Sequence, residues 1–110
     1  MTRISKDNHY ITMINVFNVD PSKQERLIEI LTEVTNHAIR FKDGFISSAL
    51  HRSLDGKKVT MYAQWKSLDH YNKMREDKQA EEVFKQALAI AEFDGGMYEV
   101  VEEFEFIPAG

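Results

Sequence analysis

The sequence predicts an α+β fold of the split βαβ kind, a four-stranded antiparallel sheet with two crossover helices on one side. Two observations carry this. The hydrophobic period runs as two-residue alternation, then three- and four-residue steps, then two alternating runs around a glycine turn, then helical steps and a last alternating run. The length, 110 residues at 43% hydrophobic composition, suits one core and not two ordinary domains. No repeat, low-complexity tract or Pro/Gly/Ser-rich linker offers a boundary, so residues 10–108 are expected to form a single domain behind a loose, flexible polar arm at 1–9.

Taking the elements in order, YITMINVFNV, residues 10–19, is β-branched and aromatic. It is apolar on both alternating sets, Ile11, Met13 and Phe17 on one and Ile14 and Val16 on the other, so both of its faces should be covered. Asp20-Pro21-Ser22 stops the strand, and Ser22 with Glu25 has the spacing of a capping box that starts a helix. Leu27, Leu31, Val34, Ala38 and Phe41, widened by Ile28 and Ile30, give that helix one buried face up to Asp43-Gly44, where glycine can take positive φ. FISSALHR (45–52) and VTMYAQW (59–65) flank Leu54-Asp55-Gly56 and predict a hairpin. A type I turn closed by a Gly bulge would put Phe45, Ala49 and His51 on one face with Val59, Met61, Ala63 and Trp65, whereas a strict two-residue loop would separate those sets. The first register is expected because it gathers the bulky apolar groups.

Ser67 is placed to cap a short helix through about Glu76. A longer helix from about Gln79, carrying Val83, Phe84, Ala87, Leu88 and Ala91, should end at Asp94-Gly95-Gly96. MYEVVEEFEF then reads as the last strand, Tyr98, Val100, Phe104 and Phe106 alternating with acidic positions until Pro108. With both helices on one side, the opposite sheet face carries Ile46, Leu50, Tyr62 and one set of the first strand. That is too much apolar surface for water, and it predicts a homodimer built sheet against sheet.

Charge and composition narrow the partners. Fourteen Lys and Arg against eighteen Asp and Glu give a net charge of −4, with the basic residues scattered, which argues against nucleic acid. The absence of cysteine excludes disulfides, thiolate catalysis and cysteine-ligated metal. No stretch resembles a signal peptide or approaches about 18 consecutive apolar residues, so no membrane partner and a cytoplasmic location are the default. There is no Gly-rich phosphate loop, no Gly-x-Ser-x-Gly and no His/Glu pairing at metal-ligand spacing, so no metal site is expected.

INVFNVDPSKQERLIEIL, FKDGFISSALHRSLDG and YAQWKSLDHY together resemble the antibiotic biosynthesis monooxygenase family, small dimeric α+β barrels of the ferredoxin-like class, from about Ile11 to Phe104. Its most specific parts are the Gly-Phe opening the second strand and the Trp-x-Ser ending the third. The resemblance implies oxidation of an anthrone- or quinol-type aromatic by dioxygen without metal, flavin or haem, in a pocket between sheet and helices. An electron-rich phenolate or carbanion supplies the electrons, so the protein has to promote deprotonation, hold the ring near oxygen and exclude water. It also implies a tryptophan of that pocket at Trp65 and polar pocket positions at Asn15, His51, Tyr71 and Lys85, the last where an arginine is found. Asn15, Trp65, His51 and Tyr71 are the catalytic candidates, and Met61, Phe84, Lys85 and Leu88 are expected against the substrate.

One departure stands out: Met61 replaces an asparagine that some of these enzymes carry four residues before the tryptophan, and it offers no amide to a substrate oxygen. Met61 and Lys85 favour a rival of another class, a non-catalytic dimeric module that binds a small apolar ligand or serves as a stress-related protein. A related branch binds and cleaves haem; Asn15 and Trp65 fit it, but Leu88 stands where its histidine ligand belongs, and His9, His37, His51 and His70 all lie off that helix. Each candidate also has a plainer reading. Trp65 can be a large core residue, Asn15 a structural hydrogen bond, His51 an edge histidine, Tyr71 a packed ring with a wet hydroxyl, and Lys85 a solvated helix charge.

Overall fold

The computed structural model describes residues 2–109. Strands β1 (Ile11–Val19), β2 (Phe45–Arg52), β3 (Lys58–Trp65) and β4 (Ala91–Tyr98) form one sheet in the order β2-β3-β1-β4. All three pairings are antiparallel. Helix α1 (Gln24–His37) connects β1 to β2, and α2 (Leu68–Arg75) with α3 (Lys78–Leu88) connects β3 to β4, which is the split βαβ architecture expected. The two alternating sets of β1 divide as read: Met13 and Phe17 are buried in the core, while Ile14 and Val16 on the other face are half-exposed. Val59, Met61, Ala63 and Trp65 of β3 face the helices and meet Leu27, Ile30 and Leu31 of α1 with Tyr71 and Met74 of α2. Each large apolar side chain taken out of water here contributes about 1.5–3 kcal/mol, which is what holds helices to sheet.

The local signals hold in part. Ser67 caps α2, its hydroxyl accepting from the His70 N–H at 3.2 Å. Gly44 and Gly56 take φ of +85° and +81°. At the start of the first helix, however, the cap is Asp20 and not Ser22. Its carboxylate accepts from the backbone N–H of Ser22 at 2.9 Å and the Ser22 hydroxyl at 2.7 Å, and it opens a 3-10 turn, Pro21–Lys23, ahead of α1. Glu25, freed from a capping box, pairs with Arg52. The buried Gln24 donates its amide to the carbonyls of Ser53 and Lys58 and so ties the start of α1 to the hairpin. At the other end α1 stops at His37 and a 3-10 turn, Ile39–Phe41, follows. The tighter turn swings Phe41 out of the apolar stripe, leaving it 77% exposed.

The hairpin register differs from the expected one. Ser53 and Lys58 close a longer loop, with Ser53 N–H bonded to Lys58 O at 3.0 Å, so Arg52 pairs with Val59, Leu50 with Met61 and Ala49 with Tyr62. Leu50 therefore faces the helices, while Ala49 and His51 face away. Phe45 nonetheless pairs with Trp65, because a bulge between Phe45 and Ser47 adds one residue and flips the remainder of β2.

The C-terminal third departs most. Helix α3 ends at Leu88, and Asp94-Gly95-Gly96 lies inside β4 instead of ending a helix. Helical geometry through Phe93 would leave the outer edge of β1 without partners, whereas Ala91–Tyr98 pairs with it from Val19↔Ala91 to Thr12↔Tyr98. Residues 99–109 then have no regular structure, and Phe104 and Phe106 are exposed. In the N-terminal arm the Arg3 carbonyl accepts from the Gln64 amide, which is 2% exposed, and Thr2 donates to Ser48 O. The face of the sheet turned from the helices thus has a cover from its own chain over β3.

Candidate active site

Between the helix-facing side of the sheet and the three helices lies a cleft of about 300 Å³. Its floor is Met13, Asn15 and Phe17 of β1 with Met61 of β3, and α1 supplies one wall through Leu31, Val34 and Thr35. Tyr71, Met74 and Arg75 of α2 and Glu81 and Phe84 of α3 close it from above. The lining is mostly apolar with a few convergent polar groups, the usual composition of a small-molecule site.

Asn15 is on the floor because β1 alternates: the positions two residues either side, Met13 and Phe17, are buried against the helices. Its neighbours across the sheet are Met61 and Gly95. A side chain opposite it would displace the Asn15 amide or the Phe93 ring, since a Cβ at Gly95 would come within 2.5 Å of Asn15 Oδ1 and 2.4 Å of the Phe93 ring. The amide Nδ2 lies 3.2 Å from Met13 Sδ, a weak acceptor, and among the described residues nothing donates to its oxygen. An amide held this loosely in an apolar floor has its hydrogen-bonding capacity free for a ligand.

Tyr71 is buried, and Arg75, one turn later on α2, donates Nη1–H to its phenol oxygen at 2.9 Å. The guanidinium also lies over the Tyr71 and Phe84 rings, 5.8 and 5.3 Å from their centroids. Because the phenol oxygen accepts from Arg75, the Tyr71 O–H proton is free to donate. The α2–α3 corner is pinned by Asp77, which caps α3 by accepting from Ala80 N–H at 3.0 Å and pairs with Lys42 beyond α1. The hydrogen bond from Lys42, then that from Ala80, holds the Asp77 carboxyl below the usual 3.8.

Of the candidates from the sequence, Asn15, Tyr71, Met61 and Phe84 converge on the cleft. Trp65 does not line it. The indole is 1% exposed behind Tyr71, edge-on to that ring at 5.9 Å and to Phe45 at 5.3 Å, and its Nε1–H has no partner among the described residues. It supports Tyr71 from the rear. His51 is exposed on the far face with Nδ1 3.3 Å from Thr60 O, a consequence of the shifted register. Lys85 points to solvent beside Glu81, 3.6 Å away. Leu88, 44% exposed, lies with Pro21 and Lys57 at the far end of α3.

Arg75 and Glu81 were not read from the sequence. The four-residue step from Tyr71 to Arg75 was the available signal for the first. Nothing local marks Glu81. Together with Tyr71 these are the cleft's ionisable side chains, and no histidine is among its lining. Among the described residues no three His, Cys, Asp or Glu side chains gather as metal ligands, and no helix is long and apolar enough to cross a membrane.

The profile of the antibiotic biosynthesis monooxygenase family matches residues 10–89. Tetracenomycin-F1 monooxygenase of Streptomyces glaucescens is 42% identical over 77 residues, 70% of this chain and 69% of that protein. The monooxygenase from the gene ActVA-Orf6 of Streptomyces coelicolor, solved in complex with the ligand nanaomycin D, has a TM-score of 0.76 and 25% identity, covering 93% of this chain and 95% of its own. SnoaB, a cofactor-independent oxygenase from Streptomyces nogalater, shares the fold with a TM-score of 0.70 at 16% identity, over 86% of this chain and 95% of that one.

Proposed function

Because the chain belongs to the antibiotic biosynthesis monooxygenase family, we propose that it is a cofactor-independent monooxygenase acting on a small electron-rich aromatic of the quinol or anthrone type. The observation that carries this is the convergence of the Asn15 amide, from the floor, and the Tyr71 hydroxyl, from the roof, on one apolar cleft of about 300 Å³. Such a volume takes a flat ring system while excluding most water.

In this reading the substrate's aryl oxygen accepts from the Tyr71 hydroxyl, whose donor strength is raised by the Arg75 guanidinium on its oxygen. As the substrate loses its proton, negative charge grows on that aryl oxygen, and donors already in place stabilise it without reorganisation. Asn15 fixes the ring's orientation, and Trp65, behind Tyr71, fixes the phenol. Glu81, the carboxylate of the cleft lining and more than half exposed, takes the proton outward in this reading. For an anthrone, the deprotonated ring carbon passes electrons to dioxygen. One oxygen atom becomes the new ring carbonyl, and the other leaves as water with the two methylene hydrogens.

The test is oxygen uptake by purified protein with anthrone and with 1,4-naphthohydroquinone. Uptake above the buffer rate, lost in Asn15→Ala, is expected, and no uptake from any such substrate would overturn the assignment. Met61 on the floor favours a second reading, a ligand-binding module without turnover, since no second amide faces Asn15. Tight binding of the same aromatics without oxygen consumption would select it.

A homodimer goes with either reading. The support is the half-exposed row Ile14, Val16 and Tyr62 on the sheet face away from the helices, thinner than expected because Leu50 turned inward.

A further inference from the structure

A second recess, of about 400 Å³, opens beside the cleft between α1, the Ile39–Phe41 turn and the edge strand β2. The two cavities share Leu31, Thr35 and Met61, so a ring in the cleft and a substituent in the recess are neighbours across one layer of side chains. Met61, unbranched and flexible, is the side chain best able to yield between them. The recess differs in character from the cleft. Its polar lining includes Thr32, Asn36 and Ser48, and its one charged side chain is Arg40. Two local events build it: the β2 bulge turns Ser48 to the helix side, and the 3-10 turn after α1 carries Arg40 over the gap.

The Arg40 guanidinium donates to Asn36 Oδ1 at 3.0 Å, and among the described residues no carboxylate lies within ion-pair distance of it. A guanidinium has more donors than one amide uses, in a planar fork that matches a carboxylate. We propose that this recess is the subsite for a carboxylate carried on the aromatic ligand, received by Arg40, with the ring system in the adjoining cleft. The inference rests on the cleft being an aromatic site and adds the ligand's charge and the residue that selects for it.

The test uses two redox-inert probes that differ at one group, anthraquinone-2-carboxylate and 2-(hydroxymethyl)anthraquinone. Binding is read by quenching of Trp65, the chain's single tryptophan. The carboxylate is expected to bind about tenfold tighter than the alcohol, in the range for a charge-assisted contact. In Arg40→Gln the difference falls below about twofold, Arg40→Lys retains part of it, and thermal unfolding of both variants follows the wild type. In Arg75→Gln, which alters the cleft's own cation, the preference survives. Equal affinities in the wild type, a preference that survives Arg40→Gln, or one that disappears with Arg75→Gln overturns the subsite. Failure of both probes to bind overturns the cleft as an aromatic site, and the subsite with it; two equal affinities overturn the subsite alone.

Discussion

The proposed reaction turns on Asn15, which is legible in the sequence because an amide in an alternating apolar strand has to find a partner or a ligand. In the structure its partner is only the Met13 sulfur. Asn15→Ala is accordingly expected to lower kcat by about a hundredfold, as for loss of one preorganised polar group, while the melting temperature stays near wild type. Tyr71→Phe, which keeps the ring against Trp65 but removes the donated proton, should lower kcat more than it raises KM; a change confined to KM would reduce Tyr71 to a binding contact. Trp65, His51, Lys85 and Leu88 illustrate what residue type alone leaves open. Trp65 faces the helices as expected yet stands behind Tyr71, and His51 has suitable chemistry on the wrong face.

At the scale of elements, caps and turns were read from short-range chemistry and pairings were not. Ser67 is the clear success, and Ser67→Ala should cost about 1 kcal/mol in denaturant unfolding through loss of the α2 cap. Asp77 couples α3's cap to Lys42. Its folded pKa is lowered, so the stability it contributes is present above the ordinary value of 3.8 and is lost as pH falls through the folded value. Thermal unfolding from about pH 5 down to about pH 2 should fall less steeply in Asp77→Asn than in wild type; an unchanged slope would remove this pair from the acid response. Locally Asp94-Gly95-Gly96 is a turn signal and predicts a helix stop. The real constraint on Gly95 is the Asn15 amide and Phe93 ring against it, so Gly95→Ala should cost about 1–3 kcal/mol by overpacking and also disturb Asn15. The β2 register was equally invisible, because one bulge reverses which side chains face the helices.

For the whole molecule, the second sheet face is the surface that bears on assembly. Sedimentation at micromolar concentration is expected to give twice the chain mass of 12.8 kDa. Val16→Glu should yield a folded monomer; a variant still sedimenting as the dimer would remove this face from the interface. Periodicity and turn chemistry determined the element order, the helix-side layer and the burial of β1 and β3, because those follow from interactions a few residues apart that repeat along the chain. Tertiary structure alone decided the last strand, the hairpin register and the membership of the cleft. The free edge of β1 needed hydrogen bonds and drew residues 91–93 out of a helical pattern into β4, and the bulge in β2 changed which side chains the helices could cover. Those are contests between distant segments for the same backbone partners and the same buried space, and no local pattern records which one prevails.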